Sequence, residues 1–198
     1  MRAKRQVPFR GFALLAALSL AAAGVLAGQE APSKEQTDDA AGFKEFTGRV
    51  EEYLTLHKTV EKKLPALKSK EELPEMIAAH QQALARKIRE ARPQARPGDI
   101  FTPAAREAFR HVIRGVFQDP QAATARTAIR QRDRGKVVLL RVNGIYPDAI
   151  AETTFPPTLL QKLPALPDEL AYRIVGRDLV LVDRRANLVV DLLHEALP

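Results

Sequence analysis

Two histidines, His57 and His80, interrupt apolar stripes in the first half of the chain. If these stripes form helices that turn around residues 68–69, His57 lies opposite His80, and Glu61 lies opposite Met76 one turn closer to the loop. Imidazole and carboxylate groups bind borderline metal ions, and a thioether favours a soft ion. The pattern therefore predicts a small metal-binding or proton-responsive site built from His57, Glu61 and His80, with Met76 as a further ligand.

A structural role is the competing interpretation of both histidines. The chain contains neither an HxH nor an HxxxH spacing, which would place two imidazoles on one strand face or one helix face. A half-buried imidazole is commonly bonded to a neighbouring carboxylate or carbonyl group. The sequence favours this second interpretation, and it predicts no cofactor.

Arginines recur every four residues along two predicted helices and form two cationic ridges. Guanidinium groups bind carboxylates and phosphates in a bidentate manner, so the ridges suit anionic lipid headgroups, envelope polymers or an acidic protein. A solvated helix face that nearby acids partly neutralise is the other interpretation, and the sequence favours it for the ridges taken alone. RNA or DNA is not expected as a partner, because the ridges lack interleaved aromatic residues. The ridges consist of Arg106, Arg110 and Arg114, and of Arg126, Arg130 and Arg134.

Residue types needed for nucleophilic or nucleotide chemistry are scarce. The chain has no cysteine, and beyond its first 27 residues its serines are Ser33 and Ser69. Neither serine follows a strand in the manner of a nucleophile elbow, and no GxGxxG or Walker sequence occurs. Paired carboxylates that converge only in the fold leave no sequence pattern. A non-enzymatic domain is therefore the favoured prediction, and a hydrolase with converging acids is the alternative.

Four predicted helices carry these residues. Apolar residues recur at alternating spacings of three and four along the first two, which places them on one stripe of each helix. These two helices should form an antiparallel hairpin. Thr102 and Pro103 give the third helix an N-cap and a favourable first residue. The predicted helices run from Phe43 to Leu64, from Leu73 to Ala91, from Pro103 to Phe117 and from Gln121 to about Arg134.

The pattern changes from helical to strand-like at Lys136, and Pro156 opens a short helix. Turn residues at 176–178 and at 184–187 predict two hairpin connections. Both faces of the strand between these turns are apolar, so it should be covered on both sides. The fold class is therefore α+β, with an N-terminal helical hairpin, two further helices and a small C-terminal antiparallel sheet. The predicted strands are Val137–Val142, Tyr172–Val175, Leu179–Asp183 and Leu188–Leu193.

The first 27 residues have the composition of an export signal. Four basic residues precede an uncharged run from residue 11 to residue 28, and small residues at its end predict cleavage before Gly28. A retained membrane anchor is the alternative, because the run is near the minimum length for a bilayer core of about 30 Å. Residues 28–42 are polar and predict a flexible linker, and residues 43–198 should form one globular domain. The predicted location is periplasmic or secreted.

Removal of the predicted signal lowers the net charge of the chain. The whole chain has 31 basic and 24 acidic residues, a net charge of +7, and loss of the four basic residues in the signal leaves +3. The remaining positive charge is concentrated in residues 84–134, where 12 basic residues accompany 5 acidic ones. The absence of cysteine means that neither a disulfide nor a cysteine-linked lipid can stabilise or anchor the exported chain.

Two strings, GDIFTP at residues 98–103 and YRIVGRDL at residues 172–179, resemble segments of an uncharacterised group of bacterial exported proteins. The resemblance implies export and one compact domain, and it supplies no activity. The predicted function is a non-enzymatic binding or scaffolding domain of the cell envelope, with an anionic envelope component or an acidic protein as partner. A hydrolase and a periplasmic metal-responsive module are the alternatives.

Overall fold

The structure is a computed structural model that describes residues 33–65, 74–120, 127, 139–147, 150 and 155–198. The predicted signal peptide and almost all of the helix expected from Gln121 to about Arg134 lie outside these residues. Within them, helices precede a three-stranded antiparallel sheet, which confirms the α+β class. None of the helices in these ranges is both long and apolar enough to cross a bilayer. The elements are α1 (Lys34–Glu61), α2 (Pro74–Ala91), α3 (Pro103–Gln118), α4 (Pro157–Leu160), β1 (Leu170–Val175), β2 (Asp178–Asp183) and β3 (Leu188–Leu193).

Helix α1 begins at Lys34, so the flexible linker expected through Gly42 is wrong for residues 34–42. Ser33 and Gln36 form a capping box, in which each side chain accepts a hydrogen bond from the other residue's amide. Gly42 allows this part of α1 to approach α3 closely, because a Cβ atom there would lie 2.6 Å from the carbonyl oxygen of Ala104. The cap and this contact order a segment that has little apolar periodicity.

Aromatic side chains join α1, α3 and the sheet in the main core. The ring centroid of Phe46 in α1 lies 4.8 Å from that of Phe109 in α3 and 5.3 Å from that of Phe101 in the preceding loop. Tyr172 of β1 lies 5.9 Å from Phe109. Helix α1 packs on α3 more extensively than on α2, its expected hairpin partner. The helices therefore form a layer in which α1 contacts both neighbours.

Strand β2 is the centre of the sheet, with β1 and β3 on either side. Gly176 adopts a φ of 60° in the two-residue turn between β1 and β2, and residues 184–187 form the turn between β2 and β3. Both connections lie where turn residues predicted them. Leu179 and Leu181 belong to the main core, whereas Val180 and Val182 belong to a second apolar cluster. The predicted burial of both faces of this strand is confirmed.

A β-bulge in β3 directs a charged side chain towards the helices. The register between β2 and β3 shifts at Leu181 and Val182, which leaves Val190 as the extra residue. A bulge reverses the alternation of side chains along a strand, and Val190 and Leu193 accordingly both belong to the main core. The bulge brings Asp191 against the loop between α2 and α3.

The strand expected at Val137–Val142 is wrong in its described part, residues 139–142. The amide of Gly144 donates to the carbonyl oxygen three residues earlier at 2.8 Å, and Asn143 has a φ of 63°, so the chain turns there. Pairing with β3 begins within this turn, where the amide of Asn143 donates to the carbonyl oxygen of Val189 at 2.8 Å, and it continues to an isolated bridge at Ile145. The preference of the Asn-Gly pair for a turn overrides the β-branched run before it.

Candidate functional site

A cavity of about 690 Å³ lies between the C-terminal end of α1, the first half of α2 and the turn from β2 to β3. Cavities of this volume accommodate small organic ligands. Four of its described lining residues are lysines or arginines and one is a glutamate, so we refer to it as the cationic cavity. Its described lining consists of Lys58, Glu61, Lys62, Leu64, Ile77, His80, Gln81, Arg184 and Arg185.

Two local structures place the four cations. Lys58 lies in the last turn of α1 and Lys62 is its C-cap, where the helix dipole favours positive charge, and their spacing of four puts them on one face. Arg184 and Arg185 occupy the turn after β2. The Oδ1 atom of Asp183 accepts from the amide of Arg185 at 2.9 Å and from that of the next residue at 2.8 Å, which fixes this turn.

Glu61 links the cationic cavity to the protein interior. Its Oε1 atom accepts a hydrogen bond from Nη1 of Arg185 at 2.7 Å, and its Oε2 atom lies 3.5 Å from Nε2 of His57. The hydrogen bond and charge of Glu61 raise the pKa of Arg185 above its ordinary value. Glu61 therefore neutralises Arg185, whereas neither Lys58 nor Lys62 forms an ion pair within the described part of the chain.

His57 is fully buried and bonded to Asp183, with 2.6 Å between Nδ1 and Oδ2. The hydroxyl of Tyr53 donates to the same oxygen at 2.7 Å. Burial lowers the pKa of His57, but the hydrogen bond and charge of Asp183, with the charges of Glu61 and Glu169, outweigh burial and raise it. Burial and the same carboxylate raise the pKa of Tyr53. The expectation of a carboxylate-bonded histidine is confirmed for His57.

A histidine held by a buried aspartate also occurs in Ser-His-Asp triads, where it acts as a general base. In that mechanism the second ring nitrogen takes the proton of a nucleophile. Here Nε2 of His57 is buried, has no hydrogen-bond partner among the described residues and faces Glu61. The arrangement does not present this nitrogen to a substrate, and the pair instead attaches α1 to the end of β2.

The predicted metal site is not assembled. His57 meets Glu61, but His80 lies on the wall of the cationic cavity and Met76 is 52% exposed. The described ranges contain no group of three or more His, Asp or Glu side chains that could hold a metal ion. The predicted register treated the two helices alone, whereas Asp183 of the sheet occupies Nδ1 of His57.

The first arginine ridge is partly engaged with the protein's own backbone. Arg110 donates to the carbonyl oxygen of His194 at 3.1 Å, and the guanidinium of Arg106 lies beside Gly98. Arg114 is exposed. The ridge therefore presents fewer available cations than the spacing of its residues predicts. The second ridge, which consists of Arg126, Arg130 and Arg134, lies outside the described residues.

A second cavity, of about 450 Å³, lies between α1 and the loop that joins α2 to α3. Arg49 pairs with Glu52 at 3.1 Å, and Arg96 lies 3.7 Å from Asp99. Arg92 lies over the ring of a buried tyrosine, 5.1 Å from its centroid. Arg92 also lies 4.0 Å from Asp99, so all three of its arginines are within ion-pair distance of a carboxylate of its lining. The cationic cavity has the larger excess of positive charge.

The sequence does not predict the cationic cavity, because its charged residues come from distant parts of the chain. Lys58 and Lys62 give only an i,i+4 spacing, and Arg184 and Arg185 give only a charged turn. Each pair alone is typical of a solvated surface. The convergence depends on α1 lying against the end of β2, which no local pattern specifies.

Comparison with known proteins supplies no relative for this chain. No protein-family model matches it, and no curated protein or solved structure matches it at a significant level. Function is therefore inferred from the charges and contacts of the cavity.

Proposed function

We propose that this chain is an exported, non-enzymatic domain that binds an anionic component of the cell envelope in the cationic cavity. The proposal is supported above all by the convergence of Lys58, Lys62, Arg184 and Arg185 around one cavity whose described lining contains a single carboxylate. Like charges that line a cleft focus the electric field and raise the local concentration of anions.

The pairing of these cations supports the same function. Glu61 engages Arg185, but Lys58, Lys62 and Arg184 have no carboxylate partner within the described residues. Arg184 donates to the backbone carbonyl oxygen of Asp168 at 3.5 Å, which leaves its charge without an opposite charge among these residues. A carboxylate or phosphate ligand would supply the missing partner through charge-assisted hydrogen bonds. The cationic cavity is a stronger candidate than the first arginine ridge, in which two of three guanidinium groups lie against the protein itself.

Binding is favoured over acid-base catalysis by the state of the carboxylates. A hydrolase would need acids that face a substrate with one of them free to exchange a proton. Each carboxylate in the described linings of the two cavities lies within ion-pair distance of an arginine. Export is supported by the basic segment and uncharged run at the amino terminus, which are typical of a cleavable signal.

Titration with two anions tests the proposal. Inorganic phosphate and dodecanoate, the latter below its micelle concentration, are added at constant ionic strength, and binding is followed by calorimetry and by amide NMR shifts. We expect saturable binding of at least one anion, with shifts at the amides of Arg184 and Arg185. The double variant Lys62→Gln/Arg184→Gln removes two cations that have no carboxylate partner among the described residues, and it should weaken binding about tenfold or more.

A charge-matched variant provides the control. Lys44→Gln/Arg114→Gln removes one lysine and one arginine from exposed positions outside the cavity lining, and its affinity should equal that of the wild type. Lack of saturable binding by both anions, or an equal loss in the control, would overturn the proposal. Protein recovered from the periplasm of expressing cells should begin at Gly28, and retention in the cytoplasm would contradict export.

A further inference from the structure

We infer that the ligand of the cationic cavity is an amphiphilic anion, an acyl chain that ends in a carboxylate or phosphate group. This inference rests on the proposed function and specifies its ligand class. The cavity combines cations with apolar side chains, because Leu64 and Ile77 share its described lining with Lys58, Lys62 and Arg184. A ligand that satisfies both kinds of surface needs an acidic end and an apolar body.

The exposure of Ile77 is the clearest sign of an apolar requirement. Ile77 lies on the same stripe of α2 as Leu84 and Ile88, which are fully buried in the main core. Ile77 is 47% exposed where the stripe reaches the cavity. An acyl chain lying on Ile77 and Leu64 would remove this apolar surface from water, as Leu84 and Ile88 are removed by the core.

The cationic side chains suit such a ligand as well. Lysine and arginine carry aliphatic stems that cover apolar groups while their charged ends remain hydrated. Lys58, Lys62 and Arg184 can therefore contact both the acidic group and the adjoining methylenes of one ligand. Gln81 and His80 add polar groups that can hydrogen-bond oxygen atoms of a headgroup.

The size of the cavity argues against a free inorganic ion as the ligand. A volume of about 690 Å³ is far larger than the roughly 30 Å³ that one water molecule occupies in the liquid, and a phosphate ion would fill only a small part of it. Such an ion would also leave Ile77 and Leu64 in contact with water. An acyl anion fills more of the volume and contacts both surfaces.

A chain-length series separates these ligands. Butyrate, octanoate and dodecanoate carry the same carboxylate, so any gain in affinity along the series comes from the apolar chain. We expect the affinity to rise about two- to fourfold for each added methylene that enters the cavity. Dodecyl phosphate should bind as dodecanoate does, and uncharged dodecanol should bind at least tenfold more weakly than dodecanoate.

Variants of Ile77 test whether the apolar lining of the cavity binds the acyl chain. Ile77→Ser should weaken dodecanoate binding about tenfold and leave phosphate binding unchanged, and Ile77→Met should retain the wild-type affinity. Leu160→Ser is the matched control, because Leu160 has a similar exposure of 51% but lies on α4, outside the described lining. Thermal unfolding of each variant confirms that it is folded before it is titrated.

Each outcome distinguishes the inference from the proposed function. Equal affinity for all three carboxylates, with Lys62→Gln/Arg184→Gln still disruptive, would overturn the amphiphile and leave anion binding intact. Dodecanol binding as tightly as dodecanoate would also overturn the inference, and so would an acidic hexapeptide that binds more tightly than dodecanoate. Failure of every anion to bind would overturn both statements.

Discussion

Two aspartates on neighbouring strands, Asp183 in β2 and Asp191 in β3, are completely buried and satisfied in different ways. One oxygen of Asp183 accepts from the side chains of Tyr53 and His57, and the other accepts from two amides of the following turn. Asp191 accepts from backbone amides on both oxygens. Those amides belong to Gly98, Ile100, Phe101 and Leu192.

The two sets of donors give the aspartates different roles. Amide donors cannot change their protonation state or rotate, so Asp191 fixes residues 98–101 and the loop that leads into α3. Side-chain donors can exchange protons, so the contacts of Asp183 depend on pH. Asp183 also organises the turn that carries Arg184 and Arg185 of the cationic cavity. The contrast indicates a fixed structural anchor in β3 and an adjustable one, adjacent to the candidate site, in β2.

The largest effect is expected from Asp191→Asn. Oδ1 of Asp191 accepts from Gly98 and Leu192, and Oδ2 accepts from Ile100 and Phe101. The asparagine amide group would face two of these donors in either orientation and leave both unsatisfied. We expect the free energy of unfolding, measured by urea denaturation, to fall by roughly 3 kcal/mol or more.

Asp38→Asn provides a control, because Asp38 is exposed on α1 and should change stability by about 0.5 kcal/mol or less. A loss at Asp191 no greater than that of the control would contradict the anchoring role. The pKa of Asp191 is raised by burial, which its four amide donors oppose. The loss should therefore be measured at neutral rather than acidic pH, because protonation of the native carboxylate would itself weaken the bonds from the four amides.

A smaller and pH-dependent loss is expected from Asp183→Asn. The asparagine oxygen can still accept from the two turn amides, and neutral His57 and Tyr53 can accept from its amide group. The charge of the pair is lost, so stability should fall by about 2 kcal/mol near pH 6 and by about 1 kcal/mol near pH 9. Urea denaturation across this range measures the difference.

The loss of stability is larger near pH 6 than near pH 9 because the pKa of His57 is raised in the folded protein. A histidine whose pKa is raised on folding contributes its full stability below the unfolded value of about 6.5, and this contribution is lost as the pH rises through the folded value. The groups that set the shift are Asp183, Glu61 and Glu169, and the substitution removes the strongest of them. A loss in Asp183→Asn that is independent of pH would show that His57 is not protonated against Asp183.

Local patterns predicted the elements that depend on neighbouring residues. Gly176 and the turn at residues 184–187 marked both hairpin connections, and the alternation along β2 predicted burial of both its faces. The start of α1 was missed although Ser33 and Gln36 carry a capping-box signature. Apolar periodicity begins only at Phe43, so it predicts a later start of the helix than the capping box does.

The candidate site could not be predicted in the same way, because its contacts join residues far apart in the chain. His57 could be assigned a carboxylate partner in general, but no pattern selects Asp183, which reads only as the last residue of an apolar strand. Glu61 was proposed as a metal ligand and in fact neutralises Arg185. These pairings arise only when the end of α1 meets the end of β2.

The smallest expected effect comes from comparing two buried tyrosines. One donates its hydroxyl proton to a carboxylate and the other donates to a backbone carbonyl oxygen. Tyr53 donates to the carboxylate of Asp183 at 2.7 Å, and Tyr172 donates to the carbonyl oxygen of Pro164 at 3.0 Å. Both side chains are 4% exposed, so loss of either hydroxyl removes a hydrogen bond from a similar environment. Hydrogen bonds to charged groups are worth more than those to neutral groups.

Tyr53→Phe should therefore lower the free energy of unfolding by about 1.5 kcal/mol, and Tyr172→Phe by about 1 kcal/mol or less. Urea denaturation of both variants near pH 7 provides the comparison. In Asp183→Asn the hydrogen-bond partner of Tyr53 is a neutral amide group, so adding Tyr53→Phe to that variant should cost no more than Tyr172→Phe does. An unchanged cost of Tyr53→Phe in that background would mean that the charge of Asp183 does not strengthen this bond.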